Sequence, residues 1–461
     1  MPRVLSFSNY FSTLLFALFS IVLLLNTTLF SSVDANHVPP LNSEIVSSNI
    51  CDPNVKQYSG YIKVKNAHYY FWFFESRNNP ETSPLTLFLN GGPGCSSMIG
   101  LFQEMGPCRS IKNGTDVEIN PYSWNKVSNL LFVDQPIGAG FSYGNKYLDS
   151  TEDAAEVLYE FLQLWFRQFP EYLDRDFHLF GESYAGHYVP ATASLILKKN
   201  SLYNNIKKRK AGTKLSVPIR LKSIGIGNGW INPTIQYGSN IDYIIHNAYG
   251  PLLNKKIHSE MTANYPTCKA LLKKCTDTNS PNDCGDAGNY CTANFTALFS
   301  ANSGVNPYDV RTSNSTTFSY PSPDYNNYLA LPNVRKAIGA QIPYTECSVT
   351  TYNYFVLQKS DDMRDFLPTL SSVVDSGVRT LMYYGDADFD CNWMGGHNVS
   401  KAVQWKYQSQ YNSAPLKEWF LGGRKARGKI QTHSCLTFVS IYNSGHEVSV
   451  YQPKVALEMF T

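Results

Sequence analysis

The chain reads as an α/β protein: a mostly parallel central sheet flanked by helices, with a disulfide-stapled cap inserted into it. Three observations predict this. Short apolar strand patterns alternate with helical patterns at the spacing of βαβ units. A serine hemmed by small residues stands between a strand and a helix, in Gly181-Glu182-Ser183-Tyr184-Ala185-Gly186. From about Asn232 to Tyr328 the alternation stops, and a polar, cysteine-rich stretch replaces it. The expected divisions are a targeting segment over 1–35, two parts of one core over 36–231 and 329–461, and the cap over 232–328.

Taken in order, Arg3, the apolar run Leu14 to Leu25 and the small residues Val33-Asp34-Ala35 form a cleavable export signal. The run is shorter than the ~20 residues that span a bilayer, which disfavours an uncleaved anchor. No second apolar run of that length follows, so no membrane span is expected. Tyr58 to Val64 and Tyr69 to Glu75 are rich in β-formers and read as a hairpin. Leu85 to Leu89 is a buried strand feeding Asn90-Gly91-Gly92-Pro93-Gly94, and Leu130 to Asp134 is another. Thr151 to Phe169 has helical apolar spacing, with Glu152 and Asp153 favouring its N-terminus. Phe177 to Phe180 is the strand before Ser183, and Tyr188 to Lys198 is helical. Leu221 to Ile226 is a strand ending in Gly227-Asn228-Gly229-Trp230. Ser239 to Tyr249 is helical within the cap. Leu331 to Ile338, with Pro332 at a helix start, then Arg379 to Tyr384 and the strand before His446 complete the core.

Composition bounds the function. The 461 residues are 43% hydrophobic and 16% charged, with 31 Tyr and 26 Phe, which suits a large core and an aromatic-lined cleft. A net charge of +3 does not mark a nucleic-acid binder. The basic run Lys207-Lys208-Arg209-Lys210 reads as a solvated loop, with a protease-sensitive dibasic site or an anionic-surface contact as the minor readings. Ten cysteines and the sequons at Asn113, Asn294, Asn314 and Asn398 fit an oxidising, glycosylating compartment, whether secreted or vacuolar. Cys268, Cys275, Cys284 and Cys291 lack the close pairs of zinc sites, so no metal is expected, and no cofactor.

A serine on a tight strand-to-helix turn is the sign of a nucleophile elbow, although Ala185 stands where the general pattern has glycine. Acid and base follow in the order an α/β-hydrolase needs: Gly385-Asp386-Ala387-Asp388 after one strand, then Gly445-His446 after another. Asp386 and Asp388 compete as the acid, and one of them is a turn-former. Ser183 would attack a carbonyl, His446 would shuttle its proton, and the acid would orient the imidazole. The oxyanion needs two amides, those of Tyr184, directly after the nucleophile, and Gly92.

Asn90-Gly91-Gly92-Pro93-Gly94-Cys95-Ser96-Ser97, Gly181 to Pro190, Asp386 to Phe389 and Gly445-His446 resemble the signature blocks of the serine carboxypeptidase family, from about Cys51 onward. The resemblance implies Asp388 as the acid and Asp386 as structural. It implies that Asn90, Gly91, Glu104 and Glu182 hold the free α-carboxylate of a peptide or protein C-terminus. Like charges placed close together cannot all ionise, so at least one glutamate must carry a proton, which predicts an acid-favoured enzyme. It also implies the bridges Cys268–Cys291, Cys275–Cys284 and Cys95–Cys347. The pairing of Cys51, Cys108, Cys391 and Cys435 stays open, although the position of Cys391 is often a free thiol beside the active site in that family, and monomer against homodimer stays open too. Glu447, where many relatives carry Met, and Asp390 would favour basic side chains on either side of the scissile bond. An acyltransferase or an esterase would use the same triad; Asn90, Glu104 and Glu182 argue against the esterase.

Overall fold

The computed structural model describes residues 44–207, 216–313 and 324–461. The export signal, the basic run beyond Lys207 and the sequon at Asn314 lie outside the described residues. Strands β1 (Ile45–Ser47), β2 (Gln57–Val64), β3 (Ala67–Phe74), β4 (Leu85–Leu89), β5 (Asn129–Val133), β6 (Phe177–Glu182), β7 (Leu221–Gly227), β8 (Arg379–Gly385), β9 (Lys417–Phe420), β10 (Ala426–His433) and β11 (Leu436–Ile441) build a 12-stranded sheet. Their order is β1-β2-β3-β5-β4-β6-β7-β8-β11-β10-β9, and the remaining strand, Tyr143–Gly144, pairs with β3. The centre, from β5 through β11, is parallel. Antiparallel strands extend it on both sides.

Side chains on a strand alternate between faces, and here both faces are covered. Tyr69, Phe71 and Phe73 of β3, with Leu85, Leu87 and Leu89 of β4, enter one core. Tyr70, Trp72 and Phe74, with Phe88, enter the other. This is why the central strands are nearly unbroken apolar runs. The first core is capped by helix α1 (Thr151–Gln168), whose Ala154, Leu158, Phe161, Leu162 and Trp165 are buried at helical spacing. Ser150 caps its N-terminus, accepting from the Asp153 amide. Helix α2 (Ala185–Lys207) begins directly after Ser183-Tyr184 and is longer than the sequence pattern suggests.

Between β7 and β8 the layer pattern breaks. Helix α3 (Pro233–His246) starts earlier than expected, because Asn232 accepts from the Ile235 amide at 2.8 Å and Pro233 suits the first turn. The cysteine-rich stretch forms two helices, α4 (Lys255–Thr278) and α5 (Pro281–Cys291). Cys268 bonds Cys291 and Cys275 bonds Cys284, as two rungs about two turns apart on each helix. A hairpin, Val305–Asn306 with Asp309–Ser313, then returns to the sheet. Its backbone meets the β8 and β11 loops: Val310 N donates to Ala387 O at 2.9 Å, Phe389 N to Pro307 O at 2.8 Å and His446 N to Tyr308 O at 2.9 Å.

Cys51 bonds Cys108 and Cys95 bonds Cys347, while Cys391 and Cys435 carry free thiols. The disulfides fit a chain that matures in an oxidising compartment. Asn113 and Asn398 are exposed, whereas Asn294 is half-buried with its carboxamide bonded to Asn264 and Tyr290. Among the described residues no helix is long and apolar enough to cross a membrane, and no cluster of acidic, histidine or cysteine side chains is arranged for a metal.

Candidate active site

The carboxyl ends of the parallel strands carry the chemistry, as open α/β sheets arrange it. At the end of β6, Ser183 has φ of 64°, a left-handed conformation that strains a residue with a Cβ. The turn is locked by its neighbours. Ser183 N donates to Gly227 O at 3.0 Å, and its carbonyl accepts from Gly186 N and Trp230 N, each at 2.9 Å. A methyl on Gly186 would sit 2.4 Å from Trp230 O, so that glycine is required. Ala185 is fully buried without conflict, which explains why the looser motif is tolerated there.

At the end of β8, Asp388 is fully buried and saturated with donors. Its Oδ2 accepts from His446 Nδ1 at 2.8 Å, Asn228 Nδ2 at 2.8 Å and the Cys391 amide at 3.2 Å, and its Oδ1 accepts from the Asp390 amide at 3.1 Å. Asp386 has a different position. Its Oδ1 accepts from Tyr249 OH at 2.7 Å and the Ser444 amide at 3.3 Å, and burial raises it above the usual carboxyl range. Burial lowers the His446 pKa, but the charge and hydrogen bond of Asp388, with Asp390 and Glu447, outweigh it and bring it to about 9. Glu447 and Asp390 contribute only when ionised. Ser183 and His446 both face one cleft of about 190 Å³, yet Ser183 Oγ makes no hydrogen bond to the imidazole here. Such bonds commonly close only in the substrate complex.

The loop after β4 faces the elbow. A Cβ on Gly91 would lie 2.4 Å from the Tyr184 amide nitrogen, so only glycine lets the two backbones meet. Gly92 has φ of 108°, and Cys95–Cys347 pins the loop. Neither the Gly92 nor the Tyr184 amide has a partner among the described residues. Behind them lies a carboxyl pair. Asn90 Nδ2 donates to Glu104 Oε1 at 3.0 Å, while its Oδ1 accepts from the Gly100 amide at 2.8 Å. Burial raises both Glu104 and Glu182, and Glu182, which also faces the charges of Glu104, Glu447 and Asp388, is raised well above the ordinary carboxyl range. Glu182 Oε2 is buried without a partner.

Asn90, Gly91, Gly92, Glu182, Ser183, His446 and Glu447 line the cleft. Glu447 Oε2 is also unpartnered, and burial, with Glu104 next, raises its pKa to about 8. Asp390 is not on the wall of this cleft. It lies beside Cys391, whose Sγ is 3.9 Å away, and burial raises it to about 6. Sequence reasoning missed Asn228, Asn306, Tyr308, Glu346 and Tyr451. Asn228 joins the loops after β7 and β8, accepting from the Gly385 amide at 2.9 Å while donating to Asp388. Its signal was a polar residue between two glycines at a strand end. Tyr308 places its ring 5.0 Å from that of His446, and Glu346 lines the cleft while accepting from Tyr325 and Asn326.

Residues 48–461 match the family model described as serine carboxypeptidase. Carboxypeptidase S1 of Penicillium janthinellum is 40% identical over 90% of this chain and 97% of its own. Carboxypeptidase Y of Candida albicans is 37% identical over 88% of this chain and 72% of its own. The crystal structure of KEX1(DELTA)P, a prohormone-processing carboxypeptidase from Saccharomyces cerevisiae, superposes with a TM-score of 0.74 at 25% identity, covering 91% of this chain and 95% of that one. The match of the family model over residues 48–461 and the similarity to carboxypeptidases along most of both chains show that the chain belongs to the serine carboxypeptidase family.

Proposed function

We propose that Ser183, His446 and Asp388 are the catalytic residues that release C-terminal amino acids from peptides and proteins. Ser183 Oγ attacks the last peptide carbonyl as His446 Nε2 takes its proton. The tetrahedral oxyanion faces the amides of Gly92 and Tyr184. Collapse breaks the C–N bond, and His446 returns the proton to the departing amine. Water, activated by the same imidazole, then cleaves the acyl-enzyme. Asp388 holds the imidazole tautomer through Nδ1.

The observation that carries the exopeptidase reading is the buried Asn90–Glu104–Glu182 cluster beside Ser183. A neutral Glu182 donates to the substrate's terminal carboxylate, and Asn90 Nδ2 and the Gly91 amide add donors. Glu447 lines the leaving-residue side and favours Lys or Arg there, because a cationic side chain beside it draws it into its ionised form. The described residues of 232–313 belong to the proposed cap over the site, and its hairpin holds the Asp388 and His446 loops in register. Asn113 and Asn398 are the proposed glycan acceptors, and the protein works extracellularly or in a vacuolar lumen.

The test is labelling by a phosphonylating serine reagent together with residue release from a blocked dipeptide at about pH 5, where the carboxyl pair holds its proton. Wild type should show both, and Ser183→Ala should lose both. Labelling that persists in Ser183→Ala overturns the assignment. Transfer of the acyl group to an added alcohol in preference to water would make the enzyme an acyltransferase.

A further inference from the structure

Tyr184 has a second feature that the triad chemistry does not use. Its hydroxyl points away from the cleft and donates to Asp361 Oδ2 at 2.5 Å. Asp361 is 1% exposed and belongs to the segment before β8, far in sequence from the elbow. The same oxygen accepts from Thr151 Oγ1, at the start of α1, at 2.5 Å. Arg364 Nη1 donates to Asp361 Oδ1 at 2.8 Å, clamps Glu152 with two hydrogen bonds of 2.6 Å, and reaches Asn279, the C-cap of α4, at 2.7 Å. One buried carboxylate thus ties the elbow to α1 and, through Arg364, to the α4–α5 turn.

We propose that Asp361 is a positioning residue that holds the Tyr184 amide in its oxyanion-facing orientation; this rests on the reading that the Tyr184 N–H is an oxyanion donor. Ser183 is strained at φ of 64°, and a strained turn relaxes by rotating the next peptide unit unless that residue is fixed. That peptide unit is held at its carbonyl by Gly186 N and Trp230 N, and at its amide end by the Tyr184 side chain. The Tyr184 ring stacks on His187 at 4.7 Å and packs edge-on against Tyr188 and Phe355, and its hydroxyl is held by a charge-assisted bond to Asp361. Releasing the hydroxyl removes the only charge-assisted restraint among these and widens the range over which the amide after the strained residue can move. Electrostatic stabilisation of an oxyanion depends steeply on such placement.

The experiment compares a matched ester and thionoester, because sulfur is a poor acceptor for amide donors. Wild type should cleave the ester about a hundredfold faster. In Asp361→Asn, which turns an amide group toward Arg364 or toward the hydroxyls, this preference should fall about tenfold, with ester kcat reduced and KM within about twofold. Tyr184→Phe, which removes only the hydroxyl, should give the same pattern if Asp361→Asn does not fold, and the double variant should be no worse than either single one. A wild type with no ester preference overturns the oxyanion reading, and the proposal with it. A wild-type preference that survives intact in Tyr184→Phe overturns the positioning role alone.

Discussion

Asp388 receives hydrogen bonds from His446, Asn228 and the Asp390 and Cys391 amides, whereas Glu182 lies buried with Oε2 unpartnered and a second carboxyl against it. Both are buried carboxyls of the same cleft region, on loops or strand ends of the same sheet. The difference lies in what faces them. Donors on every side of Asp388 suit a carboxylate that orients a base. The crowding of Glu182 by Glu104, Glu447 and Asp388 suits an acid that keeps its proton. On the proposed assignment one sheet edge would supply an acceptor for the triad and a donor for the substrate's carboxylate, and the hydrogen-bond inventory, not the residue type, would decide which is which.

The comparison breaks most visibly at Asp388. Asp388→Asn keeps the shape but forces the wrong imidazole tautomer, and kcat should fall about 10⁴-fold with little change in KM. A loss under tenfold would mean that another group orients His446. Next in size, Glu182→Gln supplies a donor that cannot ionise. Peptide kcat/KM at acid pH should fall about tenfold, and its decline toward neutral pH should disappear. A pH profile unchanged from wild type would remove Glu182 as the titrating group.

Stability offers a subtler test. Burial raises Glu447 to about 8, Asp134 and Asp362 to about 7 and Asp390 to about 6. Each group binds a proton in the folded chain at a pH where the unfolded chain has lost it. Stability therefore falls as pH rises from the ordinary carboxyl range through these values, and His446, raised to about 9, acts in the same direction. The melting temperature should drop by several degrees between about pH 5 and 8. A melting temperature that climbs over that window contradicts the assignment. The smallest expected effect is on specificity: Glu447→Met should reduce the ratio of Lys to Leu release by about threefold to tenfold. An unchanged ratio rejects the Glu447 role.

Much of this was legible before the structure. The apolar runs of β4, β5, β6, β7 and β8 announce a doubly covered sheet, and each ends in a glycine-, asparagine- or aspartate-bearing loop. The helix α4 was not legible. Its buried positions are Met261, Cys268, Leu272 and Cys275, so cysteines supply half of its apolar stripe and read instead as crosslinks. Strands β9, at the edge of the sheet, and β10, next to it, were missed because Lys417, Glu418, Arg427 and Lys429 stand among their residues, a pattern that masks a period of two. Glu346 and Tyr308 could not be found because no local pattern marks them. They reach the cleft through Cys95–Cys347 and through the hairpin bonded to the Asp388 and His446 loops.

The proton held by the Glu104–Glu182 pair is tested most directly by KM for a blocked dipeptide and for its C-terminally amidated analogue, measured from about pH 4.5 to 8. The dipeptide KM should rise steadily as Glu182 and Glu104 lose their shared proton, while the analogue, with no terminal charge to bind, should show a KM that barely moves. A dipeptide KM as flat as that of the analogue would contradict the account.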